Sequence, residues 1–223
     1  MDVRKTAIER NPFLGLFLRA NESLALAPIG LPEKTQRQLE EGLGVTVVKL
    51  LVNQSNLLGI YCALNSKGII VPSFAEAKEV QLLKDQGLNV YKLDSQWGAA
   101  GNNILVNDHA ALINPALPST EAKKIADCLG VEAAQGYVSG IPTVGSINVV
   151  TNKGLLAYNR ITDIELKRLE SLFKVTGLMG SANLGVPFVG IWMVANTNGA
   201  LMGDMTSGVE VQRTFHALSG ETT

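Results

Sequence analysis

VTNKGLLAYN, residues 150 to 159, reads as an apolar strand, a polar turn and a second apolar strand. Asparagine tolerates the left-handed backbone region and glycine takes positive φ without steric cost, so Asn152-Lys153-Gly154 suits a tight hairpin. The same pattern appears in RANESLALAP (19 to 28), ALNSKGIIVP (63 to 72), VNDHAALINP (106 to 115) and ANTNGALMGD (195 to 204). With Leu24, Gly68, Ala111, Gly154 and Gly199 taken as equivalent, the intervals are 44, 43, 43 and 45 residues, so five units account for nearly all of the 223. A fixed period of this size marks a repeat architecture whose units bury their apolar faces against one another.

A helical pattern follows each hairpin, at Pro32 to Leu43, Phe74 to Gln86, Thr120 to Leu129, Asp163 to Phe173 and Gly208 to Leu218. Ser73 with Glu76, Thr162 with Glu165 and Ser207 with Glu210 have capping-box spacing. Another strand pattern comes after the first four helices, at residues 45 to 52, 89 to 93, 131 to 138 and 174 to 179. The fifth helix lacks one, while VRKTAIE near the N-terminus is unassigned. The economical arrangement is a closed ring in which the N-terminal strand completes the fifth unit and leaves no open edge.

The formal charge is -1, from 19 basic and 20 acidic residues, which is not the footprint of a protein that grips nucleic acid mainly through phosphates. Only 17% of residues are charged, against the roughly 25% usual for soluble domains, so more of the surface than usual is neutral or apolar. Cys62 and Cys128 have no metal-ligand spacing, which suits a reduced cytosolic protein. The N-terminus has no signal-peptide core, and the apolar run from Gly185 to Val194 is too short to span a bilayer.

NSKGIIVP (65 to 72), GNNILVNDHAALINP (101 to 115), VGSINVVTNKGLL (144 to 156) and ANTNGALMG (195 to 203) resemble, in order, the sequence blocks of the translation initiation factor 6 family. The ending SGETT lacks the serine-containing tail of eukaryotic members and favours an archaeal form. The resemblance implies the pentein fold: a closed ring of five pseudo-symmetric α/β repeats, or α/β propeller. It would be one domain over 1 to 223, with repeats near 13 to 56, 57 to 102, 103 to 144, 145 to 186, and 187 to 218 plus 1 to 12. It also implies a cytoplasmic, monomeric, non-enzymatic factor. Such a factor binds the intersubunit face of the large ribosomal subunit beside a uL14-type protein, an L24e-type protein and the sarcin–ricin loop, so that the small subunit cannot join. Release in the family involves a Shwachman–Bodian–Diamond-type protein and a translocation-type GTPase.

Equivalent turns of a ring emerge together, so Asn65, Lys67, Gly68, Asp108, His109, Asn152, Lys153 and Asn198 are binding candidates on a face of polar tips. Trp97 to Asn103 reads as an inserted neutral loop without counterpart in the other units, which adds Asn102 and Asn103. The pentein alternative is a guanidine-modifying deiminase or amidinotransferase, which needs a reactive cysteine, a histidine base and carboxylates. Cys62 and Cys128 read as packed residues, His109 and His216 as surface ones, and Asp94, Asp108 and Asp204 as the carboxylates that would have to converge at the ring centre. A general repeat scaffold is the third reading. No P-loop or GxGxxG occurs and no cofactor is expected.

Overall fold

The computed structural model describes residues 1–220. Strand β1 (Asp2–Thr6) comes first, and one order of elements then runs through five units: a one-turn helix, a short strand, a hairpin turn, a central strand, a long helix and, in the first four, a third strand. The first unit holds α1 (Leu14–Phe17), β2 (Arg19–Ala20), β3 (Leu24–Pro28), α2 (Glu33–Leu43) and β4 (Thr46–Leu50). The second holds α3 (Leu58–Tyr61), β5 (Ala63–Leu64), β6 (Gly68–Pro72), α4 (Ala77–Asp85) and β7 (Asn89–Leu93), and the third α5 (Ala100–Asn103), β8 (Ile104–Val106), β9 (Ala110–Ile113), α6 (Ser119–Leu129) and β10 (Glu132–Gln135). The fourth holds α7 (Val144–Ile147), β11 (Val149–Val150), β12 (Gly154–Tyr158), α8 (Asp163–Phe173) and β13 (Thr176–Gly180). In the fifth, a 3-10 turn at Val189–Ile191 replaces the helix before β14 (Met193–Ala195), β15 (Gly199–Gly203) and α9 (Gly208–Ser219).

Each unit makes a three-stranded sheet whose central strand is antiparallel to the hairpin strand and parallel to the third strand. The fifth sheet takes its third strand from the N-terminus: β1 runs parallel to β15, from Asp2 beside Gly199 to Thr6 beside Gly203. Every residue of the central strands is buried, which is why LALAP, GIIVP, AALI, GLLAY and GALMG read as unbroken runs instead of alternating ones. Their covering comes from neighbours: α2 lies on β15, α6 on β6, α8 on β9 and α9 on β12. The hydrophobic cores accordingly sit at the joints between successive units, and one of them joins Val194 and Leu201 of the fifth unit to Leu14, Leu39 and Leu43 of the first.

The turn after each central strand closes with an N–H to C=O bond three residues back: Leu31 to Pro28, Ala75 to Pro72, Leu117 to Asn114, Ile161 to Tyr158 and Thr206 to Gly203. The long helix then starts at a fixed offset, with N-caps at Pro32, Glu76, Pro118, Thr162 and Ser207. Capping boxes form at Thr162 with Glu165 and Ser207 with Glu210 as expected. In the second unit the expectation fails. Glu76 caps with Glu79, and Ser73 lies inside the turn, where its N–H bonds to Leu93 O, so the helix begins at Ala77. The third unit also shifts by one. Ala110, rather than Ala111, is equivalent to Gly68, because Ala110 faces Glu132 as Gly68 faces Asn89.

Candidate functional site

At the hairpin end, the first turn residue of each unit is Asn21, Asn65, Asn107, Thr151 or Asn196, all buried. The four asparagines use both ends of the amide. Oδ1 accepts the N–H groups two and three residues on, as from Lys67 and Gly68 to Asn65 at 3.0 Å each. Nδ2 reaches the following unit: Asn21 donates to Asn65 O at 2.9 Å, Asn65 to Asn107 O at 3.3 Å, Asn107 to Thr151 O at 3.0 Å and Asn196 to Asn21 O at 3.1 Å. Asn65, Asn107 and Asn196 also bind the last-turn carbonyls of Leu129, Phe173 and Leu43, groups a helix leaves unpaired. Thr151 keeps the acceptor role, taking the Lys153 and Gly154 N–H groups, but has no amide to pass on.

Above this layer the second turn residues bind one another. Ser66 donates its N–H and hydroxyl to Asp108 at 2.8 and 2.7 Å, Asn152 donates to Asp108 at 2.6 Å and to Glu22 at 3.2 Å, and the Thr197 hydroxyl donates to Glu22. Burial pushes the Asp108 carboxyl up, the largest single effect, but the Ser66 and Asn152 donors together hold it below the usual carboxylate range. Third turn residues form the outermost layer, where Ser23, Lys67, His109, Lys153 and Asn198 are exposed. Lys67 Nζ lies on Gly130 O at 3.1 Å and Asn198 Nδ2 on Leu43 O at 3.0 Å. Of the tip candidates, Lys67, His109, Lys153 and Asn198 present exposed side chains, Asp108 and Asn152 half-buried ones, and Asn65 and Gly68 are interior. A Cβ on Gly68 would overlap the carbonyl of Cys128 on α6.

The residues from Trp97 to Asn103 are not an insertion. Ala100–Asn103 is the third unit's one-turn helix, and Gly101 matches Gly15, Gly59, Gly145 and Gly190. A Cβ on any of these five glycines would overlap the carbonyl oxygen of the equivalent glycine in the preceding unit, with Gly15 meeting Gly190 and completing the cycle. The one-turn helices touch in that same order, from α1 through α3, α5 and α7 to the 3-10 turn and back to α1. Asn103 is interior, donating to Trp97 O and Ala99 O and accepting from Asn114. Asn102 is half-exposed at this opposite end of the units, beside the positions of Leu16, Ile60, Ser146 and Ile191. Trp97 is half-buried against the core, while Trp192 is buried and stacked on Phe13 with ring centroids 3.8 Å apart.

Central strands run from the hairpin end toward this one-turn-helix end, and the long helices start there. Among the described residues, the exposed large hydrophobics are Ile29, Phe74, Tyr137, Ile164, Leu184, Phe188, Met205 and Val209. All eight follow a strand's C-terminal end, precede the 3-10 turn or open a long helix, so all lie at this end. Apolar side chains exposed toward one end are surface that a partner can cover.

The interior offers little to nucleophilic chemistry. Cys62 is buried and its thiol is pushed up to about 12, chiefly by burial, so no thiolate forms near neutral pH. Cys128 is half-buried, pushed up by burial, and donates to the carbonyls of Ile69 and Asn89. Asp108 sits at the hairpin end, whereas Asp94 and Asp204 are exposed beyond the far ends of β7 and β15, so the three carboxylates do not converge. Among the described residues, no group of three or more potential metal ligands comes together and no helix is long and apolar enough to cross a membrane.

What the chain presents to a partner is therefore two broad faces, one polar and bonded to itself, the other rich in exposed apolar groups, on an α/β repeat protein of five three-stranded sheets. It belongs to the eIF-6 family, whose model matches residues 3–217. Similar proteins named translation initiation factor 6 occur in Picrophilus torridus, 36% identical over 97% of this chain and all of the relative, and in Pyrococcus horikoshii, 38% identical over 98% and 99%. One from Thermococcus onnurineus is 39% identical over 98% of both chains.

Proposed function

We propose that this chain is a cytoplasmic translation initiation factor 6-type anti-association factor: its five units form a closed pentein-type ring in a single domain, and it occludes the large subunit's intersubunit face without catalysing a reaction. The cyclic contacts of the one-turn helices and the β1 to β15 pairing support the ring. The uL14-type protein, L24e-type protein and sarcin–ricin loop are the proposed contacts, and the Shwachman–Bodian–Diamond-type protein and translocation-type GTPase the proposed release factors, all by family membership.

The observation that carries the docking assignment is the gathering of the exposed large hydrophobics at the one-turn-helix end. A near-neutral chain that meets a ribosomal protein through apolar groups needs few phosphate contacts, so its affinity should fall only shallowly with salt. Asn102 is the sequence candidate on that end, and an unpaired carboxylate there must be desolvated on docking. Asn102→Glu should weaken large-subunit binding tenfold or more in co-sedimentation, while Lys67→Glu with Lys153→Glu should leave it within about twofold. The polar tips are the second reading, favoured by the exposure of Lys67, His109, Lys153 and Asn198, and the reverse outcome would establish it.

A further inference from the structure

Arg19 is a charge in an otherwise apolar register. It pairs with Leu26, and the hairpin-strand residues at the same place in the other units are Ala63, Leu105, Val149 and Val194. Its side chain crosses the interior: Nε donates to Gly59 O of the second unit at 3.0 Å and Nη2 to Gly101 O of the third at 2.7 Å. Among the described residues, Nη1 donates to no protein group and Arg19 takes part in no ion pair.

The guanidinium borders a cavity of about 50 Å³ lined by Gly145, Asn148 and apolar side chains such as Leu64, Val106 and Val150. Asn148 cannot balance the charge, because its amide donates to Val144 O and accepts from the Tyr158 N–H. The carboxylates lining the adjoining space, Glu22 and Asp108, lie at the hairpin end, and the buried Glu79 is taken up by the Asn53 and Glu76 N–H groups. Glu22 is three residues along the chain from Arg19, about 10 Å at strand rise, and both it and Asp108 are already engaged by Thr197, Asn152 and Ser66. Burial lowers Arg19 to about 10, which leaves it protonated at neutral pH. A half-buried cation with no carboxylate partner is costly, and two carbonyl dipoles offset only part of that cost.

We propose that the interior cavity holds one monatomic anion, chloride under ordinary conditions, on the free Nη1 edge of Arg19. One water needs about 10 to 15 Å³ by the same kind of measure, so the space takes a halide of near-water size together with a water or two. Arg19 supplies both the donors and the charge that such an ion needs.

Two measurements test this. Crystals grown in sodium bromide should show an anomalous peak at roughly hydrogen-bond distance from Arg19 Nη1. Thermal melts at matched ionic strength should be higher in sodium chloride than in sodium glutamate. A site of Kd about 10 mM shifts the folding equilibrium about tenfold at 100 mM, which raises the midpoint by about 3 to 5 °C for a chain of this size. Arg19→Met should abolish the difference between the two salts. Absence of the bromide peak overturns the proposal whether or not Arg19→Met folds, and so does a chloride increment that survives the substitution.

Discussion

Asn196 closes the cycle of amides between the fifth unit and the first, and replacing it separates two jobs that one side chain performs. Its Nδ2 donates to Leu43 O at 2.8 Å and Asn21 O at 3.1 Å, and its Oδ1 accepts from Asn198 and Gly199 at 3.0 and 3.1 Å. Threonine should retain the acceptor role, since Thr151 performs it in the fourth unit, and should lose both inter-unit bonds. Leu43 O keeps the Asn198 amide as a partner, so that loss costs about 1 kcal/mol. Asn21 O is left without its side-chain donor, which costs about 1 to 3 kcal/mol. Asn196→Thr should therefore destabilise by about 2 to 4 kcal/mol, and Asn196→Ala by about 1 to 3 kcal/mol more, because it also leaves the buried Gly199 N–H without an acceptor while water reaches that of the exposed Asn198. The converse substitution, Thr151→Asn, supplies the missing amide and should stabilise by about 1 kcal/mol. Urea unfolding with an unchanged m-value measures all three. A cost under about 0.5 kcal/mol for Asn196→Thr, or equal costs for threonine and alanine, would refute the division of labour drawn here.

Gly59→Ala should destabilise by about 3 kcal/mol or more, since its Cβ would overlap the Gly15 carbonyl and backbone must move; a melting midpoint equal to the unaltered chain's would contradict the close packing. Deleting residues 1–9 removes β1 and bares the edge of β15, so light scattering should report aggregation or the melt should collapse; a normal melt would show that the pairing contributes little. Glu210 accepts N–H groups from Ser207 and from Leu184 and Gly185 in the inter-unit turn, and although burial raises its carboxyl, those bonds and the Ser207 and Ser181 hydroxyls hold it below its ordinary value. Its contribution is complete above its unfolded value near 4.5 and lost as pH falls through the lower folded value, so Glu210→Gln should flatten the acid limb of a plot of midpoint against pH. An unchanged acid limb would remove Glu210 from the acid response.

The five units were legible because the turns from Asn65 to Gly68, Asn152 to Gly154 and Asn198 to Gly199 leave a strong local mark at one spacing. The third unit slipped by one residue where that mark is weakest: Ala110 and Ala111 are both alanine, with no glycine to choose between them. The asparagine three positions before four of the five central strands would have corrected it, since Asn65 and Asn107 precede Gly68 and Ala110 by the same step. Four-residue helices carry no periodicity, so AGNN looked like an insertion, although Gly15, Gly59, Gly101, Gly145 and Gly190 keep the hairpin spacing. Ser73 misled because capping chemistry is common in turns, whereas the fixed offset from the central strand's end points to Glu76. The candidate surface was least legible. No pattern in the sequence marks Ile29, Phe74 and Met205, because the turns after three central strands bring them to one end only in the folded chain.

Sucrose-gradient sedimentation of purified large and small subunits, mixed with and without the chain, tests the central claim most directly. The account predicts that the chain travels with the large subunit alone, that joined particles decline as it is added, and that Asn102→Glu restores joining. Joining unaffected by a saturating excess of the chain, or equal binding to both subunits, would contradict it.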